Sequence, residues 1–168
     1  GRQKQIYNMK NLDWAGLNFG YIPTDYNVRC YYRNGKWGEV EVCSDEYLKL
    51  HMAATCLHYG QEAFEGLKAY RCPDGKVRVF RMEENAARLQ NTCRGIVMPE
   101  VPTELFVEMV KKVVRLNQAY IPPYESGATL YIRPLLIGTS AQVGVRPSEE
   151  YCFLIFVSPV GPYFKGGF

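Results

Sequence analysis

The spacing of apolar and polar residues divides this chain into a short series of elements. Val28 to Arg33 and Lys36 to Val42 are strand-like and flank Asn34-Gly35, the dipeptide that best accepts the positive φ angles of a two-residue turn, so they predict a β-hairpin. A second hairpin is predicted from Gly66 to Arg71 and Lys76 to Arg81 around Cys72-Pro73-Asp74-Gly75, where proline sets φ and glycine closes the turn. The stretch between them, Asp45 to Gly60, stays unassigned. Glu83 to Arg94 reads as a helix with Gly95 at its C-terminal cap. A longer helix is predicted from Thr103 to Tyr120, because Leu105, Phe106, Met109, Val110, Val113, Val114 and Leu116 share one stripe and Pro122-Pro123 forbids continuation. Ala128 to Ile137 and Tyr151 to Ser158 are apolar enough to predict central strands buried on both faces.

Hairpin, hairpin, helix, helix, strand, strand is an α+β order. It predicts a two-layer sandwich, a mostly antiparallel sheet with two main helices on one face. Residues 1–27 are turn-rich and read as an N-terminal arm anchored by Trp14 and Phe19, while residues 28–168 form one small domain with no internal linker.

Composition narrows the function. Of 168 residues, 47% are apolar and 22% charged, ample for a single core, and a net charge of +3 gives no electrostatic footprint for nucleic acid or a membrane surface. The longest apolar run, Tyr151 to Val157, is far shorter than the roughly 20 residues of a membrane span, and no signal-peptide core follows the first residues. Six scattered cysteines without a Cys-x-x-Cys pair point to free thiols and a cytoplasmic protein. His51, His58 and Cys56 lack the second ligand pair that a closed metal site wants, so no metal is expected. Nucleotide-binding and serine-hydrolase signatures are missing too.

The remaining candidates are aromatic residues and arginines. Tyr131 and Arg133 stand two apart on a predicted strand, so both side chains leave one face, and a phenol beside a guanidinium can receive a carboxylate. The same spacing also fits a surface arginine beside a half-buried tyrosine. Arg88 sits on the first helix and reads either as a phosphate anchor or as a solvated arginine. Phe64 fits core or pocket. Tyr163 follows the last strand on a Pro- and Gly-rich turn, where exposed aromatic residues serve ligands or interfaces. Val143 and Val145 form a small apolar lip on the loop before that strand.

Several blocks fall in one order: His58-Tyr59 through Phe64-Glu65-Gly66-Leu67-Lys68-Ala69, then Val79-Phe80-Arg81, Arg88, Tyr131-Ile132-Arg133-Pro134, Gly144-Val145 and Pro159-Val160-Gly161-Pro162-Tyr163. From about Phe19 to Phe168 the chain resembles the N-terminal domain of the branched-chain amino acid aminotransferases, pyridoxal 5'-phosphate enzymes of fold-type IV. Pro23-Thr24-Asp25-Tyr26 departs from the Phe-Thr-Asp-His pattern common there. The resemblance implies amino-group exchange between leucine, isoleucine or valine and glutamate/2-oxoglutarate. It implies that Arg88 binds the cofactor phosphate, that Phe64, Tyr131 and Tyr163 wall the substrate pocket, and that Arg133 meets a carboxylate. Tyr59, Val143 and Val145 would reach the pocket of the neighbouring subunit of a homodimer. None of Lys68, Lys76 and Lys165 matches the family's Schiff-base lysine, which lies in a second, C-terminal domain, so the chain is expected to be an inactive fragment that holds the cofactor weakly. Two alternatives stay open: another fold-type IV enzyme, such as a D-amino acid aminotransferase or aminodeoxychorismate lyase, and a noncatalytic binding or dimerisation module.

Overall fold

The computed structural model describes residues 10–162. Its centre is an eight-stranded sheet in which every pairing is antiparallel. The strands are β1 (Asn27–Arg33), β2 (Lys36–Trp37), β3 (Glu41–Cys43), β4 (Glu62–Phe64), β5 (Leu67–Arg71), β6 (Val77–Val79), β7 (Thr129–Gly138) and β8 (Tyr151–Val160). They run in the order β2-β1-β8-β7-β5-β6, with β3 also on β1 and β4 also on β7. The helices are a single turn, α1 (Thr55–His58), then α2 (Met82–Gly95) and α3 (Thr103–Leu116).

Both hairpins form where the turn dipeptides place them. Asn34 and Gly35 adopt φ of 54° and 76°, and Gly75 takes 81°. The first hairpin's return strand is broken at Gly38, whose N–H turns back to the Tyr31 carbonyl, so Lys36 to Val42 is two short strands rather than one. Beyond Val79 the backbone leaves the sheet, and Arg81 enters the left-handed region (φ 59°) to begin α2. That helix runs through Gly95. The left-handed residue after it is Val97 (φ 57°), not the glycine, and the Met98 N–H closes the end on the Cys93 carbonyl at 2.9 Å. The second helix stops at Leu116 instead of Tyr120. Asn117 is fully buried there, and its side chain bonds the backbone of Asp25, Tyr26 and Val113.

The apolar stripe of α3 and the inner residues of α2 bury one face of the sheet. Phe106, Met109, Val110 and Val113 meet Ile132, Leu136, Phe153 and Ile155, all fully buried, and the Phe106 and Phe153 rings stack at 6.0 Å. The opposite face is covered only in part. Leu48, Leu50 and Cys56 pack near Ile137, Cys152 and Leu154, while residues 18–24 cross the other end through Ile22 N–H to Ser158 Oγ (2.8 Å) and Gly161 N–H to the Asn18 carbonyl (3.2 Å). β8 is buried along nearly its whole length. β7 is not, because its odd-numbered residues from Thr129 to Leu135 are half-buried while its even-numbered ones are sealed; full burial on both faces therefore holds for one of the two strands.

Candidate functional site

The partly covered face gathers three candidates. Tyr131 and Arg133 leave β7 on the same side, and Phe64, opposite Leu135 on the neighbouring strand, stands beside them. The Arg133 guanidinium lies 4.5 Å over the Phe64 ring and 5.2 Å over the Tyr131 ring, and its Nε and Nη2 donate to the Tyr131 hydroxyl at 3.2 and 3.1 Å. Aromatic faces attract the cation and hold its plane without neutralising it. No carboxylate among the described residues pairs with Arg133. The Phe19 ring packs edge-on against Tyr131 at 4.9 Å, so the arm contributes to this cluster, whereas Trp14 is only half-buried.

A break in the edge ladder shapes the site. β4 and β5 share one register along β7, with Phe64 opposite Leu135 and Leu67 opposite Ile132, so they are a single strand interrupted at Glu65 and Gly66. The residues facing that interruption are Pro134, opposite Glu65, and Arg133, opposite Gly66. The Pro134 carbonyl accepts from the Glu65 N–H at 3.0 Å, but proline has no N–H to return. Alternation continues through the gap, sending Phe64 and Gly66 to the open face and Glu65 to the helix side. Gly66 lets the phenol approach, because a Cβ there would stand 2.6 Å from the Tyr131 hydroxyl oxygen and would displace the ring tip.

Glu65 is 5% exposed and meets α2. Its carboxylate accepts from Arg88 Nε (2.9 and 3.0 Å), Arg88 Nη2 (2.6 Å) and Asn85 Nδ2 (3.2 Å). The hydrogen bond and the charge of Glu65 raise the Arg88 pKa, so the guanidinium is a permanent cation. Arg88 keeps 67% of its side chain exposed and lines a cleft of about 630 Å³ with Gly66, Lys68, Arg81, Glu84, Asn85 and Tyr131, and Arg81 pairs there with Glu84 at 3.5 Å. The opening carries more positive than negative side chains even with Glu84 counted, and the outer edge of the Arg88 guanidinium is the donor in it that suits a phosphate. A cleft of about 750 Å³ between the Asn34-Gly35 turn, the end of α2 and residues 147–151 includes none of the candidates.

Tyr59, Val143 and Val145 form a separate group. The Tyr59 hydroxyl donates to the Val143 carbonyl, and the Ala54–Ala141 bridge with Gln142 N–H to the Ala53 carbonyl (3.1 Å) ties residues 51–60 to the loop after β7. Val143 and Val145 are 89% and 85% exposed, and Met52 and Leu57 add to this apolar lip. Tyr163 and Lys165 lie outside the described residues. His58 Nε2 bonds the Met52 carbonyl at 2.8 Å, and no cluster of His, Cys, Asp or Glu among the described residues could hold a metal ion. Sequence reasoning missed Glu65 and Asn85 as site residues. Their only local signal was Glu65, an acidic residue in a strand otherwise apolar on the helix side.

No family model matches the chain. A branched-chain-amino-acid aminotransferase of Haemophilus influenzae is 52% identical over 159 residues, which are 95% of this chain and 46% of that protein. The same-named protein of Helicobacter pylori is 49% identical over 160 residues, 95% of this chain and 47% of that protein. The chain thus spans about half the length of the curated relatives it matches. Among solved structures, the Escherichia coli branched-chain amino acid aminotransferase superposes with a TM-score of 0.65 at 27% identity, over 84% of this chain and 42% of that one. Another branched-chain amino acid aminotransferase, complexed with N-(5'-phosphopyridoxyl)-L-glutamate, gives 0.55 at 26% identity, over 76% of this chain and 40% of that one.

Proposed function

We propose, for a chain that belongs to the branched-chain-amino-acid aminotransferases of fold-type IV, that it forms the small N-terminal domain of such an enzyme and supplies one wall of its pyridoxal 5'-phosphate site. In this reading residues 1–27 are an arm, a C-terminal domain carries the Schiff-base lysine, and the whole protein exchanges amino groups between leucine, isoleucine or valine and 2-oxoglutarate in the cytoplasm. The lengths of the relatives support the second domain.

The carrying observation is the Arg133 guanidinium held between the Phe64 and Tyr131 rings without an acidic partner among the described residues. Such a site faces two kinds of side chain in turn. An aliphatic one packs on the rings, and the distal carboxylate of glutamate or 2-oxoglutarate pairs with the arginine fork. Arg88, with Asn85 beside it, is the phosphate anchor, and the cofactor, when bound, supplies the electron sink for transamination. Tyr163 would complete the wall. The exposed Tyr59, Val143 and Val145 lip fits a homodimer in which each copy reaches the other's pocket, since an apolar patch of this kind favours burial.

The test is transamination by the complete polypeptide whose reading frame carries this chain, with L-leucine and 2-oxoglutarate against D-alanine and aminodeoxychorismate. Glutamate formed from leucine supports the proposal; activity only on the latter substrates overturns it. Arg133→Ala is expected to raise KM for 2-oxoglutarate about 100-fold or more and that for the leucine keto acid far less, because only the former loses a charge-paired carboxylate.

A further inference from the structure

Glu65 stands out as a buried carboxylate with a fixed partner beside the cleft. A charge this deep is costly unless fully bonded, and here four contacts from Arg88 and Asn85 satisfy it. The two donors are three residues apart on α2 and face it together. On Arg88 the contacts engage Nε and one side of Nη2. Among the described residues nothing engages Nη1 or the second Nη2 hydrogen, at the exposed end of a side chain that lines the cleft. A guanidinium free to rotate would meet an anion only after losing several rotamers; one already clamped along one edge presents the other edge at no such cost.

We propose that Glu65 is a positioning residue: it clamps the inner edge of Arg88, with Asn85 as its second support, and so pre-orients the outer edge for a phosphate in the cleft. The inference rests on the reading of Arg88 as a phosphate anchor. Two effects oppose each other here. The Glu65 carboxylate repels a nearby phosphate, while its clamp removes the ordering cost of one long side chain, and the buried position on the far edge of the guanidinium favours the clamp.

Inorganic phosphate is the probe. It is titrated into the folded, 15N-labelled chain at constant ionic strength, with the Arg88 Nε–H resonance and the backbone amides lining the cleft as readout, the amides alone for Arg88→Lys, and thermal unfolding as the control for structure. The wild-type resonance is expected to shift saturably and selectively for phosphate over chloride. Arg88→Lys, which keeps the charge but loses the fork, is expected to abolish saturable binding. Glu65→Gln is expected to weaken binding about five- to tenfold, the loss for one side chain left to be ordered, and to release the Nε–H to faster solvent exchange. Glu65→Asp and Asn85→Ala should give smaller losses and serve if Glu65→Gln fails to fold. If phosphate leaves the wild-type resonance unmoved, or binds Arg88→Lys as it binds the wild type, the anchor reading falls and the inference with it. If Arg88→Lys loses phosphate but the folded Glu65 variants and Asn85→Ala bind it as tightly as the wild type or tighter, the anchor stands and the positioning role of Glu65 is overturned.

Discussion

The two faces of the sheet are made by the same strands and behave in opposite ways. On the helix side Ile132 and Leu136 of β7 disappear under α3, with Phe106 and Phe153 stacked at full burial. One residue away on the same strand, Tyr131 and Arg133 are half-buried and hold Phe64, which is 62% exposed. Polar chemistry is handled differently too. Arg133 is held by ring faces and a hydroxyl with no carboxylate partner among the described residues, whereas Glu65, turned toward the helices, is fully bonded. The contrast teaches that apolar packing is concentrated on one face, while the open face keeps the aromatic and cationic groups proposed to meet a substrate.

Substitutions can break that contrast, and the largest effect is expected on the sealed face. Phe106→Ala should cost about 3–5 kcal/mol, read from the denaturant midpoint, because it empties a closed site and removes the ring stacked on Phe153. A loss under about 1 kcal/mol would mean that this face is loosely packed and the contrast false. Tyr120, which joins the helix side to the arm through Asp25 at 2.9 Å, is next. Burial, then the bond to Asp25, pushes its phenol up to about 12. The folded pKa lies above the ordinary value of about 10, so its contribution is complete below pH 10 and lost as pH rises through 12. Tyr120→Phe should cost about 1 kcal/mol near neutrality and make the fall in stability between pH 10 and 12 shallower. Tyr21, raised to about 12 by partial burial and Glu46, keeps some of that slope.

Two smaller effects sharpen the comparison. Val97 is a β-branched residue in left-handed backbone at an exposed helix end, so Val97→Gly should raise the melting temperature through a gain of about 1 kcal/mol. Phe64→Ala is the counterpart of Phe106→Ala on the open face. It should cost less than about 1 kcal/mol of stability, a contrast between two phenylalanines of equal size that a single denaturation series measures.

Local rules made much of the fold legible. Asn34-Gly35 and Pro73-Asp74-Gly75 placed both hairpins, and the stripe from Leu105 to Leu116 placed α3 to within one turn at its end. What stayed hidden depends on distant partners. The end of α3 is set by Asn117 bonding Asp25 and Tyr26, about ninety positions earlier, and β4 forms because Leu135 to Ile137 offer it a ladder. The unassigned stretch before it likewise holds α1 and a loop that crosses the open face. In the site, the two-residue spacing of Tyr131 and Arg133 was readable as a shared face. The pairing of Glu65 with Arg88 across twenty-three positions was not, since neither residue signals in its own neighbourhood which partner it will find.

The alternation along β7 carries a consequence for how such a protein can change. From Thr129 to Leu136 even-numbered positions answer to the core and odd-numbered ones to whatever occupies the open face, so parity separates two selective pressures on one stretch of eight residues. A combinatorial library confined to positions 131, 133 and 135, with 64 across the ladder, would explore new ligand preferences while leaving the buried helix-side core of the sheet untouched. Shifting the strand by a single residue would exchange the two sets at once. Insertions or deletions within β7 are therefore the changes that lineages of this protein should tolerate least.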